Sequence, residues 1–167
     1  MRHINRLGLS AATGLAAALC CAPAASAAAP ATGPQPSGGK EEVLRLTAVA
    51  TQANSIDFPP PGPSQGDELI VAGNVLYNGT TVGTYDETCA TTRTGTDDSS
   101  TVQCVVTLTL PKGEITVQGV FPITRGGPGD ITLAITGGTG VYRTARGYVH
   151  AVNTSSTETQ VTLHLIH

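Results

Sequence analysis

Tryptophan is missing from this chain of 167 residues, and no cluster of Lys or Arg stands out. Binding nucleic acid requires a basic face, so a nucleic-acid partner is not expected. Helical periodicity is missing too. From Val43 onward apolar residues alternate with period two, and no stretch shows a convincing 3.6 repeat. Histidine offers no metal set: His150, His164 and His167 lack ligand spacing, and the last two fall on opposite faces of a strand. No serine sits in a nucleophile elbow, so a Ser-His-Asp hydrolase has no support. With neither a metal nor a flavin signature, no cofactor is expected. Cysteine is scarce: Cys20 and Cys21 lie in an N-terminal apolar run, leaving Cys89 and Cys104.

That N-terminal run reads as a secretory leader. Arg2, His3 and Arg6 form a basic start, Leu7 to Cys21 is apolar, and Ala25-Ser26-Ala27 is a small-residue cleavage site. An apolar segment of about 15 residues is too short to cross a bilayer, so no membrane anchor is expected after cleavage. A lipoprotein is the lesser alternative, because Leu19 or Cys20 would precede the modified cysteine where a small residue belongs. The secreted part loses Arg2 and Arg6 from nine basic residues, leaving seven against twelve acidic ones and a net charge of −5. In an oxidising compartment Cys89 and Cys104 are expected to form one disulfide.

Three regions follow: a leader at 1–27, a disordered Ala/Pro/Gly linker at 28–42, and one domain at 43–167. The linker has almost no large apolar residue to offset its ordering entropy. Within the domain the alternation predicts eight strands, at 43–53, 67–77, 81–92, 101–110, 114–121, 130–136, 141–153 and 157–166. Turn chemistry separates them, most clearly Asn78-Gly79, Lys112-Gly113 and the proline-rich Phe58–Pro63. Short turns without helical crossovers imply antiparallel pairing. Eight strands suit a closed barrel, although pattern alone leaves a sandwich nearly as attractive. Asn78-Gly79-Thr80 and Asn153-Thr154-Ser155 match the glycosylation pattern but read as turns.

The stretch Ala134–Val149 carries a Gly137-Gly138-Thr139-Gly140 turn after an apolar strand. A dinucleotide-binding turn would open a helix with another glycine near position 143. Arg143 stands there instead, and only 27 residues follow Gly140. The stretch resembles the signature hairpin of plant dirigent proteins and the Ala-Ile-Thr-Gly-Gly segment of allene oxide cyclases. Gly66-Asp67, Leu76-Tyr77-Asn78-Gly79-Thr80 and Ile115-Thr116-Val117-Gln118-Gly119 extend that resemblance over about residues 43–167. It implies an all-β, eight-stranded antiparallel barrel of calycin type, a small hydrophobic ligand, and trimeric assembly.

Candidate site residues follow from register. If Cys89 faces Cys104, then Glu87 faces Val106 and Tyr85 faces Leu108. The apolar face with Val102, Cys104, Val106 and Leu108 should point inward, taking Tyr85 and Glu87 with it, unless a β-bulge intervenes. A carboxyl among apolar side chains is held protonated by desolvation and can donate a proton near neutral pH. The plainer alternative is a solvated Glu87 at the barrel mouth. Arg146 is the second candidate catalytic group, on an even face with Tyr142, Thr144, Tyr148 and His150 that could hold an anionic or phenolic oxygen. By resemblance it occupies the Arg of the dirigent Ala-Arg-Gly-Tyr motif. Its alternative is an exposed, solvated face, with Arg143 on the opposite side. Asp67 and Glu68 read as solvated charges at a strand end.

The expected ligand-binding set is thus Tyr85, Tyr142, Val106 and Leu108, with Glu87 and Arg146 as catalytic candidates. The acidic set of dirigent pockets has no counterpart that can be placed, and the first strand holds Arg45 and Gln52 without an internal carboxylate. Two functions compete. One is a secreted, cofactor-independent barrel that steers cyclisation or stereoselective coupling of a small hydrophobic, phenolic or oxygenated lipid molecule. The other is a non-catalytic extracellular binding or cell-surface module on the same scaffold.

Overall fold

The computed structural model describes residues 39–96 and 99–166, so the leader and most of the linker lie outside the described residues. Eight strands run in order: β1 (Glu41–Ile56), β2 (Glu68–Tyr77), β3 (Thr80–Thr94), β4 (Ser100–Leu110), β5 (Gly113–Ile123), β6 (Ile131–Gly138), β7 (Arg146–Asn153) and β8 (Glu158–Ile166). Each pairs antiparallel with its sequence neighbours, and β8 pairs with β1, closing a barrel. Closure gives every strand a neighbour on both sides, although β5 and β6 pair only from Ile115 to Gln118.

Two boundaries differ from expectation. β1 begins at Glu41, inside the segment assigned to the linker, because Glu41 and Glu42 pair with Ile166 and Leu165. The strand expected over 141–153 starts only at Arg146. Gly140–Tyr142 instead forms a 3₁₀ turn that folds across one barrel end, with Val141 N–H donating to the Lys112 carbonyl at 3.0 Å. The glycine turn explains this. Gly140 sits at φ +59°, and a Cβ there would collide with the Lys112 carbonyl oxygen. Backbone crosses backbone at that point, and only glycine permits the approach.

Alternation decides which face is inside, and residue size decides how full the inside is. Toward the 3₁₀ end, Ile115, Leu163, Leu165 and Val75 are essentially inaccessible and pack solidly with Leu46, Leu110 and Ile135. Toward the other end the inward positions of β1 are Ala48, Ala50 and Ala53, and β7 contributes Ala151. A bulge between Ala50 and Gln52 shifts the phase of β1, so that Ala53 and Ser55 still face inward. Small side chains cannot fill an eight-stranded interior. The barrel is therefore solid at one end and hollow at the other.

Candidate functional site

The hollow end is a cavity of about 780 Å³, within the range of small-molecule sites. Its walls are apolar: Val71, Val106, Leu108, Val117, Leu133 and Val149 line it with the alanines of β1 and β7. Its mouth is framed by the connections β1–β2, β5–β6 and β7–β8, through Gly62, Pro63, Pro128 and Ser155–Thr157.

The register inferred from the cysteines holds. Cys89 pairs with Cys104, Glu87 with Val106 and Tyr85 with Leu108. The irregularity in this pairing falls between Thr91 and Arg93, beyond the disulfide, and so leaves the inward face of β3 undisturbed. Cys89 and Cys104 are bonded, with Cα atoms 4.0 Å apart. Tyr85 and Glu87 both line the cavity, while Asp86 and Thr88 point outward. Tyr85 is buried because its partner across β2 is Gly73. A Cβ on Gly73 would sit 2.6 Å from the Tyr85 ring and closer still to the Val49 carbonyl. That missing side chain leaves the ring its space.

Glu87 is half-buried, and desolvation raises its pKa above the ordinary carboxyl value. Its Oε1 lies 3.1 Å from Cys89 Sγ. A disulfide sulfur carries no proton, so the only donor available in this contact is the protonated carboxyl itself. Tyr85 is also pushed up, first by burial and then by the charge of Glu87. The cluster of Glu87, Cys89 and Cys104 brings three metal-type ligand atoms within 4.8 Å, but both sulfurs are committed to the disulfide.

Arg146 does not join this site. Along β7 the odd positions Val149 and Ala151 are buried, and the even positions Arg146 and Tyr148 are exposed. The barrel selects the apolar set for its interior, since burying a guanidinium without a partner is costly. Arg143 is exposed as well and reaches the Gly140 carbonyl at 3.5 Å. Tyr142 is the second correction. It is half-buried in the 3₁₀ turn, packed against the solid core, and does not line the cavity. Its pKa is raised by burial and then by Glu42, without any part in the site.

Sequence reasoning missed several lining residues. Phe121 packs beside the disulfide and faces the cavity; the alternation Ile115, Val117, Gly119, Phe121 carries that signal. Asp67 is not simply a solvated charge, and it stands at the mouth with Glu68 and Asp57. Asp67 accepts from Ser64 N–H at 2.7 Å, Phe58 N–H at 2.9 Å and Ser64 Oγ–H at 2.9 Å. These bonds, those from the Ser64 and Phe58 backbone foremost, hold its pKa below the usual value. No local pattern could reveal this, since the donors come from a turn whose path depends on the loop as a whole.

Residues 47–164 match the model of the allene oxide cyclase barrel-like domain. The chain belongs to the allene oxide cyclase barrel-like family. Among solved structures similar to this member, a pyocyanin demethylase is 27% identical, with a TM-score of 0.66, covering 74% of this chain and 99% of its own. A pterocarpan synthase dirigent protein aligns at 16% identity and TM-score 0.59, over 77% of this chain and 96% of the other. A Diels Alderase from Streptomyces koyangensis aligns at 21% identity and TM-score 0.60, over 75% and 64%. The last two likenesses speak to the fold alone. No curated protein matches the chain.

Proposed function

We propose that this member of the family is a secreted barrel that encloses a small, largely apolar molecule and steers its cyclisation or coupling. Glu87 exchanges a proton with the bound molecule, and confinement supplies most of the effect. The observation that carries this reading is one carboxyl with a raised pKa, set in the wall of an otherwise apolar cavity of ligand size. Groups of this kind concentrate at functional sites because proton transfer needs a pKa near the working pH. The similar proteins include a pyocyanin demethylase, a pterocarpan synthase dirigent protein and a Diels Alderase. Phenols and oxygenated lipids fit the cavity provided that they are neutral, because Arg146 lies outside and offers an oxyanion nothing.

The test is displacement of a neutral hydrophobic fluorescent probe from the folded protein, with mass-spectrometric identification of any co-purified ligand. Glu87→Gln keeps the side-chain shape and removes the acid, so binding persists while turnover of that ligand is lost. Arg146→Ala leaves probe binding unchanged. Failure of every neutral apolar probe to bind overturns the ligand-binding reading. Unchanged turnover in Glu87→Gln leaves a barrel that works by shape, and no turnover by the native protein leaves one that only binds.

A further inference from the structure

The charged residues among those described that line the cavity are all of one sign. Glu87 stands in the wall, and Asp57, Asp67 and Glu68 stand toward the mouth; no Lys, Arg or His is among the described residues that line it. The basic groups of the barrel lie elsewhere. Arg45, Arg93, Lys112, Arg125, Arg143 and Arg146 are exposed and none faces the cavity.

Around Glu87 the surroundings are specific. Tyr85 lies two residues along β3 on the same inward face. Beyond the Cys89–Cys104 bond on the other side lies Phe121, which packs against that pair and also lines the cavity. A carboxyl that shares an apolar enclosure with two aromatic rings suits a weakly hydrated cation. The ring faces are negative, and the carboxylate supplies a counter-charge where water cannot. A carboxylate or phosphate ligand would meet four acidic groups and no partner, so the same cavity rejects anions.

We propose that the cavity prefers an apolar cation, a quaternary ammonium or an N-alkylated heteroaromatic, with Glu87 as its counter-ion and the mouth carboxylates drawing it in. The proposal deepens the reading above and rests on the cavity being the ligand site. A cleft lined by one sign of charge concentrates counter-ions at its entrance.

Three probes of nearly one shape separate the possibilities: N-methylacridinium, acridine and acridine-9-carboxylate, titrated into the folded full chain in mildly alkaline buffer of low salt. The cation is expected to bind about tenfold or more tighter than the neutral ring, and the anion weakest. Added salt weakens the cation and leaves the neutral ring unchanged. Glu87→Gln removes most of the cation's advantage over the neutral ring, and Glu87→Asp keeps part of it. Equal binding of cation and neutral ring by the native protein, or an anion that matches the cation, overturns the proposal and leaves the ligand site standing. A cation preference that survives in Glu87→Gln overturns the role of Glu87. If neither the cation nor the neutral ring binds, the cation proposal falls, and the ligand-site reading falls with it once every other neutral apolar probe fails as well. The native-protein comparison holds even if a variant does not fold.

Discussion

Oε1 of Glu87 lies 3.1 Å from Sγ of Cys89, the sulfur bonded to Cys104. Two residues that face the same way on β3 thus set a proton-holding group against a disulfide. With the disulfide intact, sulfur can only accept, which favours the protonated carboxyl. Reduction converts that sulfur to a thiol that can donate to a carboxylate.

The pKa of Glu87 is therefore expected to fall when the disulfide is reduced. Carboxyl-carbon NMR titration of the oxidised and reduced proteins measures it directly. An unchanged or higher value after reduction would show that the contact has no electrostatic weight. Removing the bond by Cys89→Ser with Cys104→Ser should also cost roughly 3 kcal/mol of stability for a loop of this length. The two cysteines are separated by 15 in sequence, and a denaturation midpoint reads the loss.

Glu87 also sets a pH dependence of stability. Its folded pKa is raised above the unfolded value, so between the two values the native state binds more protons than the unfolded chain. The contribution is thus fully present below the unfolded pKa of about 4.3 and is lost as pH rises through the folded pKa. Thermal melts of the native protein across that window should show a decline that Glu87→Gln abolishes. A Glu87→Gln protein with the same decline would place its origin elsewhere.

Gly73 is predicted to tolerate no side chain. Gly73→Ala places a methyl against the Val49 carbonyl and the Tyr85 ring. The expected cost is on the order of 1–3 kcal/mol, the usual range for overpacking. Tyr85 should also move, changing its near-ultraviolet circular dichroism and the affinity of a cavity probe. Full stability with unchanged Tyr85 signals would show that β1 yields more readily than its paired backbone suggests.

Asp67 holds the β1–β2 connection over the cavity mouth. Asp67→Ala removes the acceptor for the Phe58 and Ser64 amides and the Ser64 hydroxyl. Residues 57–67 should then exchange amide hydrogens and be cut by protease faster than in the native chain, while the strands keep their protection. Because the folded pKa of Asp67 lies below its ordinary value of 3.8, its contribution is present above that value and lost as pH falls through the folded one. The native loop should therefore loosen in strong acid. A loop equally protected with and without the carboxylate would assign its order to the prolines instead.

The period-two alternation determined an all-β chain by itself, because strict alternation can bury one face only in a pleated strand. It also placed Tyr85 and Glu87 inside: the cysteine pair set the β3–β4 register, and the observed pairing keeps it through Glu87 and Tyr85. The Ala48, Ala50 and Ala53 positions that hollow one end were in plain view, yet a void is a property of several strands meeting, and one strand does not reveal it. Tertiary structure alone decided three things. It turned Arg146 outward, because β7 presents one of two alternating faces and the barrel takes the apolar one. It folded the glycine turn across the solid end, carrying Tyr142 away from the cavity. And it set Asp57, Asp67 and Glu68 at one mouth, since the path of the β1–β2 connection, which no local pattern reveals, decides where its charges stand.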